Sequence, residues 1–213
     1  MRKRQIVLVI LFALLICVSP TLTSCRSQRS TQPLLSVAPS AAAGNDIYVA
    51  DQFGNIRALR SDGSEQWSIS LPDEVLKRDS TASHDLRIDL LAAQSGGKIF
   101  GLATQLTGRD AGSTILFALE ANRLLWHIVT PYPDQGGNPL AIGSNAVYVA
   151  AQDGALYAFA RADGKQMWKY QVSQGPLGSP TVGTDGTIYV TGPNSNLHAI
   201  TPEGKQRWVV RAR

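Results

Sequence analysis

The sequence predicts an all-β fold, a β-propeller of four-stranded antiparallel blades with four repeats visible, on three observations. An apolar strand, a polar turn and a second strand containing alanine recur four times. A glycine or asparagine follows in the next turn each time, with tryptophan four residues later. A further short apolar run stands ahead of every repeat.

The repeats are residues 45–67, 97–126, 145–168 and 186–208, and all four tryptophans of the chain, Trp67, Trp126, Trp168 and Trp208, fall at the one shared position. Runs such as AVYVA (146–150) and TIYVT (187–191) have the β-branched and aromatic character of a pleated, half-buried strand. The turns carry Gly63, Asn122, Gly164 and Gly204. Tight hairpins often need φ > 0, which glycine adopts freely and asparagine tolerates, so Asn122 is the expected stand-in. The runs at 36–40, 91–95, 139–143 and 178–183 supply the remaining strand of each unit. Four strands per unit is the pattern of a propeller blade, and places the blades at about 36–75, 86–133, 136–175 and 176–213.

Successive tryptophans stand 59, 42 and 40 residues apart, so the second unit holds about 18 extra residues. The stretches 77–87 and 106–113 are polar and rich in turn formers, and are expected to be loops on the propeller faces.

The N-terminus reads as a lipoprotein signal peptide over residues 1–24. Arg2, Lys3 and Arg4 precede an uncharged run of 13 residues, Ile6 to Val18, shorter than the roughly 20 residues of a spanning helix. LTSC, Leu22 to Cys25, resembles the lipobox of bacterial lipoproteins, in which the cysteine is lipidated and becomes the first residue. The alternatives are cleavage near Ser24 without lipid, or an uncleaved anchor. Residues 25–35 form a polar tether. By resemblance to enterobacterial sorting, Arg26 in place of aspartate carries no inner-membrane retention signal, which favours the outer membrane where the source has one. Removing the first 24 residues takes three basic groups from 20 and leaves 17 against 16 acidic ones, about +1, which gives no electrostatic footprint for nucleic acid. Cys17 leaves with the signal peptide, so no disulfide is expected.

The run 155–170, with Ala158, Gly164, Lys165 and Trp168, resembles the tryptophan-docking repeat of the pyrroloquinoline-quinone-like (PQQ-like) β-propellers. That resemblance implies tryptophans docked between adjacent blades, with the glycine letting the turn close beneath the ring. Ala58 and Ala199 stand one residue closer to their tryptophans than the pattern has it. Within the family the chain is similar to the propeller lipoproteins of the outer-membrane β-barrel assembly machinery.

Propellers of that family usually have seven or eight blades, and four are visible. A closed four-bladed ring, a pair of half rings and a fragment of a longer gene are the three arrangements; an incomplete propeller, either a fragment or a half completed by a partner such as a homodimer, is favoured over the closed ring because no split blade is present to latch one, and an open arc leaves strand edges to cover.

The expected function is a membrane-anchored scaffold of the periplasm or cell surface that binds other envelope proteins, with no cofactor, no metal and no enzymatic activity. His84, His127 and His198 are mutually remote in sequence, and the carboxylates are scattered through turns. No nucleophile elbow or phosphate loop is present in the pattern. A PQQ-dependent dehydrogenase is the alternative, implying a central quinone and calcium, and a sugar-binding or sensor propeller is a third class.

Overall fold

The structure, a computed structural model, describes residues 40–94, 96–107, 110–130, 139–172 and 175–211; the signal peptide, Cys25 and the tether lie outside them. Blade 1 comprises β1 (Ser40–Ala43), β2 (Asp46–Ala50), β3 (Asn55–Leu59) and β4 (Glu65–Ser70). Blade 2 comprises β5 (Leu86–Gln94), β6 (Lys98–Thr107), β7 (Asp110–Glu120) and β8 (Arg123–Thr130). Blade 3 follows with β9 (Leu140–Ile142), β10 (Ala146–Ala150), β11 (Ala155–Ala160) and β12 (Gln166–Gln171). Blade 4 has β13 (Thr181–Val182), β14 (Ile188–Thr191), β15 (Asn196–Ile200) and β16 (Gln206–Arg211). In every sheet the strands pair antiparallel in sequence order, as the propeller reading requires.

Because side chains alternate across a strand, each blade shows one face to the blade before it and the other to the blade after it. Three buried clusters follow. Tyr48, Ile56 and Ala58 of blade 1 pack with Ile99, Ile115 and Phe117 of blade 2. Phe100, Leu116 and Trp126 on the other face of blade 2 pack with Val147, Tyr157 and Phe159. Tyr148, Leu156 and Ala158 then meet Ile188, Val190 and Ile200 of blade 4. Each fully buried aliphatic or aromatic side chain contributes about 1.5–3 kcal/mol by leaving water, so the interfaces between blades are the core. Among the described residues no buried cluster joins blade 4 to blade 1.

Of the two stretches expected to be loops, one is corrected and the other is shortened by two residues. In the stretch 106–113 the described residues belong to strands: β6 runs to Thr107 and β7 starts at Asp110, giving strands of 10 and 11 residues where β10 has five. Their Gly, Asp and Ser content favours turns, but backbone pairing across the hairpin continues at Leu106↔Ala111 and Thr107↔Asp110. In the other stretch, Leu86 and Arg87 already belong to β5, while residues 77–85 connect. Just before that connection lies a short helix, α1 (Leu71–Leu76), capped by the Ser70 hydroxyl, which accepts from the Asp73 amide at 3.4 Å. Pro72 in the first turn, where no intrahelical donor is lost, and the acidic Asp73 and Glu74 beside the positive helix end suit that start. Leu71 and Val75 anchor α1 in the cluster between blades 1 and 2.

Candidate functional site

The shared tryptophan position is built by a local device common to all four blades. Alanine on the third strand lies directly across from tryptophan on the fourth, in the pairs Ala58↔Trp67, Ala118↔Trp126, Ala158↔Trp168 and Ala199↔Trp208. The register shifts immediately after each pair, leaving the residue before the tryptophan (Gln66, Leu125, Met167 or Arg207) without a partner on the third strand. A bulge of this kind bends the strand and re-aims the next side chain. The ring then leans on an aromatic of its own second strand: Tyr48 at 5.9 Å, Phe100 at 6.1 Å, Tyr148 at 5.7 Å and Tyr189 at 5.8 Å, between centroids. Alanine is small enough to leave room for this pair, and all four alanines are buried.

Two of the rings reach the next blade in the same way. Trp126 is only 6% exposed, and its Nε1 donates to the Arg161 carbonyl of blade 3 at 2.9 Å. Beneath it Gly164 adopts φ +74°, and a Cβ there would stand 2.6 Å from Trp126 Cε3. Trp168 repeats the joint on blade 4, donating to the Pro202 carbonyl at 2.8 Å over Gly204, at φ +81°, whose Cβ would stand 2.6 Å from Trp168 Cδ2. The glycines thus serve twice, since a side chain would be strained at that φ and would displace the ring. The Tyr170 hydroxyl adds a bond to Gln206 Oε1 at 2.5 Å across blades 3 and 4.

The remaining members of the set are placed differently. Trp67 is half buried in the cluster between blades 1 and 2. Trp208 is 41% exposed. Gly63 has φ +84° with nothing within 4 Å of its Cβ position. In the two-residue turn of blade 2 the left-handed backbone falls on Ala121, at φ +51°, and not on Asn122. That correction has a geometric cause: Glu120 pairs with Arg123, so the turn is shorter than the glycine turns and puts its positive φ one residue earlier.

Arg161 is a joint residue that the pattern did not reveal. Its Nη1 donates to the carbonyls of Gly143, at 3.0 Å, and Ser144, at 2.6 Å; its Nη2 donates to Gln94 Oε1 of blade 2. The guanidinium also lies over the Phe100 ring, 5.3 Å from its centroid, and burial lowers its pKa. Arg78, after α1, donates to the Leu124 and Leu125 carbonyls at the bulge of β8. An arginine in a polar turn carries no periodic signal, so only the fold brings these contacts together.

The titratable groups are held by local structure. Burial raises the Asp153 pKa, but the Tyr157 hydroxyl, the Lys169 ammonium and the Ala155 amide hold it below the usual carboxylate range. The Thr187 hydroxyl and amide, followed by Arg207, bring the exposed Asp185 to about 2. His84 lies in the connection before β5, His127 on β8 and His198 on β15. Burial lowers the pKa of His127, reinforced by Arg78 and opposed by Asp79, and burial alone lowers that of His198. Both have a buried Nδ1 without a hydrogen-bond partner. Among the described residues no three His, Cys, Asp or Glu side chains are grouped to hold a metal ion, and no helix is long and apolar enough to cross a membrane.

Comparison with known proteins agrees with this architecture. Residues 111–213 match the family model described as outer membrane protein assembly factor BamB. The BamB structure from Moraxella catarrhalis superposes with a TM-score of 0.54 at 19% identity, covering 80% of this chain and 51% of that one. A protein of unknown function from Bacteroides caccae superposes at 0.51 and 14% identity, covering 82% and 60% respectively. The chain therefore spans about half the length of the BamB chain it matches. No curated protein sequence matches it. The described blades form a partial β-propeller, and these similarities support PQQ-like repeats similar to those of BamB.

Proposed function

We propose that the chain is a protein-binding scaffold of the cell envelope, held at the membrane through a lipidated Cys25 and serving outer-membrane protein assembly. The match of residues 111–213 to the assembly-factor family carries this reading. The surface chemistry supports it: Trp208, Val209 and Val210 form an exposed apolar stretch on β16, and Phe53 and Met167 are exposed elsewhere. Apolar and aromatic groups in water are anchors for a partner. The acidic groups Asp51, Asp153 and Asp185 are engaged in their own turns, which suits structure more than proton transfer. The same reading admits a homodimer in which two arcs complete one ring.

The test is crosslinking in the native envelope with mass spectrometry of the products. Recovery of outer-membrane assembly proteins, with contacts in residues 77–113, and an N-terminus at diacylglyceryl-Cys25 are the expected results. Recovery of intact Met1 would remove the anchor from the proposal. Saturable binding of PQQ with calcium, together with dye-linked oxidation of alcohols or sugars and no protein crosslinks, would replace the scaffold with an enzyme.

A further inference from the structure

The two joints in which an indole reaches the next blade differ at their inner rim, and the second leaves a recess there. We propose that this recess receives the arginine side chain of a bound polypeptide, held between the inner turns of blades 3 and 4 as Arg161 is held between those of blades 2 and 3. The proposal rests on the protein-binding reading and names a contact within it.

In the first joint Arg161 acts twice. Its carbonyl accepts the Trp126 indole N–H, and its guanidinium closes the gap between inner turns by donating to the Gly143 and Ser144 carbonyls of blade 3 and to Gln94 Oε1 of blade 2, over the Phe100 ring. In the second joint Pro202 accepts the Trp168 indole N–H and has no side-chain donor to extend. A recess of about 520 Å³ stands at the corresponding place, lined by residues 142–144 of blade 3, residues 182–186 and Pro202 of blade 4, and Gln94. All of these residues are described, so the walls of this joint belong to the chain itself.

The acceptors of the first joint recur in the second. Gly183 and Thr184 follow Val182 as Gly143 and Ser144 follow Ile142, and Val182 and Ile142 each pair with the residue before the aromatic of their blade, Ile188 or Val147. Each glycine amide closes its turn at 2.8 Å, Gly143 on the Ala146 carbonyl and Gly183 on the Thr187 carbonyl. The Gly183 carbonyl takes the Gly186 amide at 2.9 Å and keeps its second lone pair. Tyr148 holds the place of Phe100 as the aromatic beneath the tryptophan. A Cβ on Gly143 would stand 2.8 Å from Tyr148 Cε2, so the ring lies directly under that turn.

Asp185 adds what the first joint lacks, since Gly143, Ser144 and Asn145 bring no acid to the same turn of blade 3. Its Oδ1 accepts from the Thr187 amide, and its Oδ2 from the Thr187 hydroxyl and from Arg207. The carboxylate is thereby fixed and charged, and Oδ1 keeps a lone pair. A rim of carbonyls with one carboxylate over an aromatic face suits a planar fork of donors better than the point charge of lysine. The volume lies within the range of ordinary ligand sites and leaves room for the backbone that carries the arginine.

The experiment titrates the full, nitrogen-15-labelled chain in mild detergent with N-acetylarginine methylamide, using the citrulline and lysine analogues and free arginine as comparisons. The Gly183, Thr184 and Gly186 amides should shift saturably in the millimolar range, and the arginine compound should bind about tenfold or more tighter than uncharged citrulline. Asp185→Asn should weaken binding by about the same factor. Because that change touches the turn itself, Ser144→Trp is the second variant: Ser144 is exposed, and Arg161 uses its backbone carbonyl, so the fold should stand while the filled recess no longer binds. No saturation by about 50 mM, well above the millimolar range, would overturn the proposal. So would equal binding of citrulline, shifts centred on the turns of Asp51 or Asp153, or free arginine binding tenfold tighter than the capped form. Envelope crosslinks to assembly proteins without arginine binding would remove this site and leave the scaffold standing.

Discussion

Blade 1 and blade 3 have nearly the same second strand and different surroundings. β2 reads DIYVA and β10 reads AVYVA, with the same five positions forming each strand. In β10 all five residues are buried; in β2 only Tyr48 and Ala50 are. The buried pair in β2 faces blade 2, and the residues on the opposite face, Ile47 and Val49, lack the cover that blade 2 gives their counterparts in blade 3. A PQQ-like blade is thus an apolar slab on both faces whose sequence assumes two neighbours. The joints tell the same story locally: Gly164 is buried under an indole, while Gly63 has equivalent geometry and empty space.

That contrast yields measurable differences. The largest is between Trp126 and Trp208. Trp126→Ala empties an interblade site and removes the bond to the Arg161 carbonyl, so unfolding by denaturant should show a loss of about 3–5 kcal/mol. Trp208→Ala should cost less, about 1 kcal/mol, because the ring is already 41% exposed and packs on Tyr189 of its own blade and not in an interblade site. Equal losses would mean that the faces of blade 4 are alike in solution.

Next come the glycines. Gly164→Ala and Gly63→Ala impose similar backbone strain, about 1–2 kcal/mol, but only the first drives a methyl group into a tryptophan, adding roughly 1–3 kcal/mol of overpacking. Midpoints for the pair should therefore differ, and a difference near zero would show that the ring over Gly164 moves aside freely.

The smallest effect is the pH dependence set by His127 and His198. Their folded pKa values lie below the ordinary 6.5 because burial disfavours the charged ring. The unfolded chain takes up protons first, so stability is full above about 6.5 and falls as pH drops below it. His198→Gln should flatten part of that fall in a denaturant series at pH 7.5, 6.5 and 5.5; an unchanged slope would assign the effect elsewhere.

Much of the repeat was legible because tryptophan is rare, large and placed once per blade, and because the strands alternate in a way that only a two-sided sheet explains. Arg161 was not legible: its partners, Gln94, Phe100, Gly143 and Ser144, lie in other strands and turns and meet only when blades 2 and 3 pack. Residues 106–113 misled for the opposite reason, as their turn-forming composition is local whereas the pairing that extends β6 and β7 is not. The aromatics beneath the tryptophans were visible as letters in IYV, IFG, VYV and IYV, but their role needed the contact distances.

The bulge before each tryptophan has a consequence for how such chains change length. Between the two members of the first pair beyond the bulge lie five residues in blade 1, four in blade 2, six in blade 3 and five in blade 4. The alanine–tryptophan pair keeps its register through all four. The hairpin tip therefore gains or loses a residue without turning the indole, since everything that aims the ring lies on the far side of the bulge. A tip of different length therefore leaves the face offered to the following blade unaltered, provided it keeps the glycine and the carbonyl that receive the preceding blade's indole.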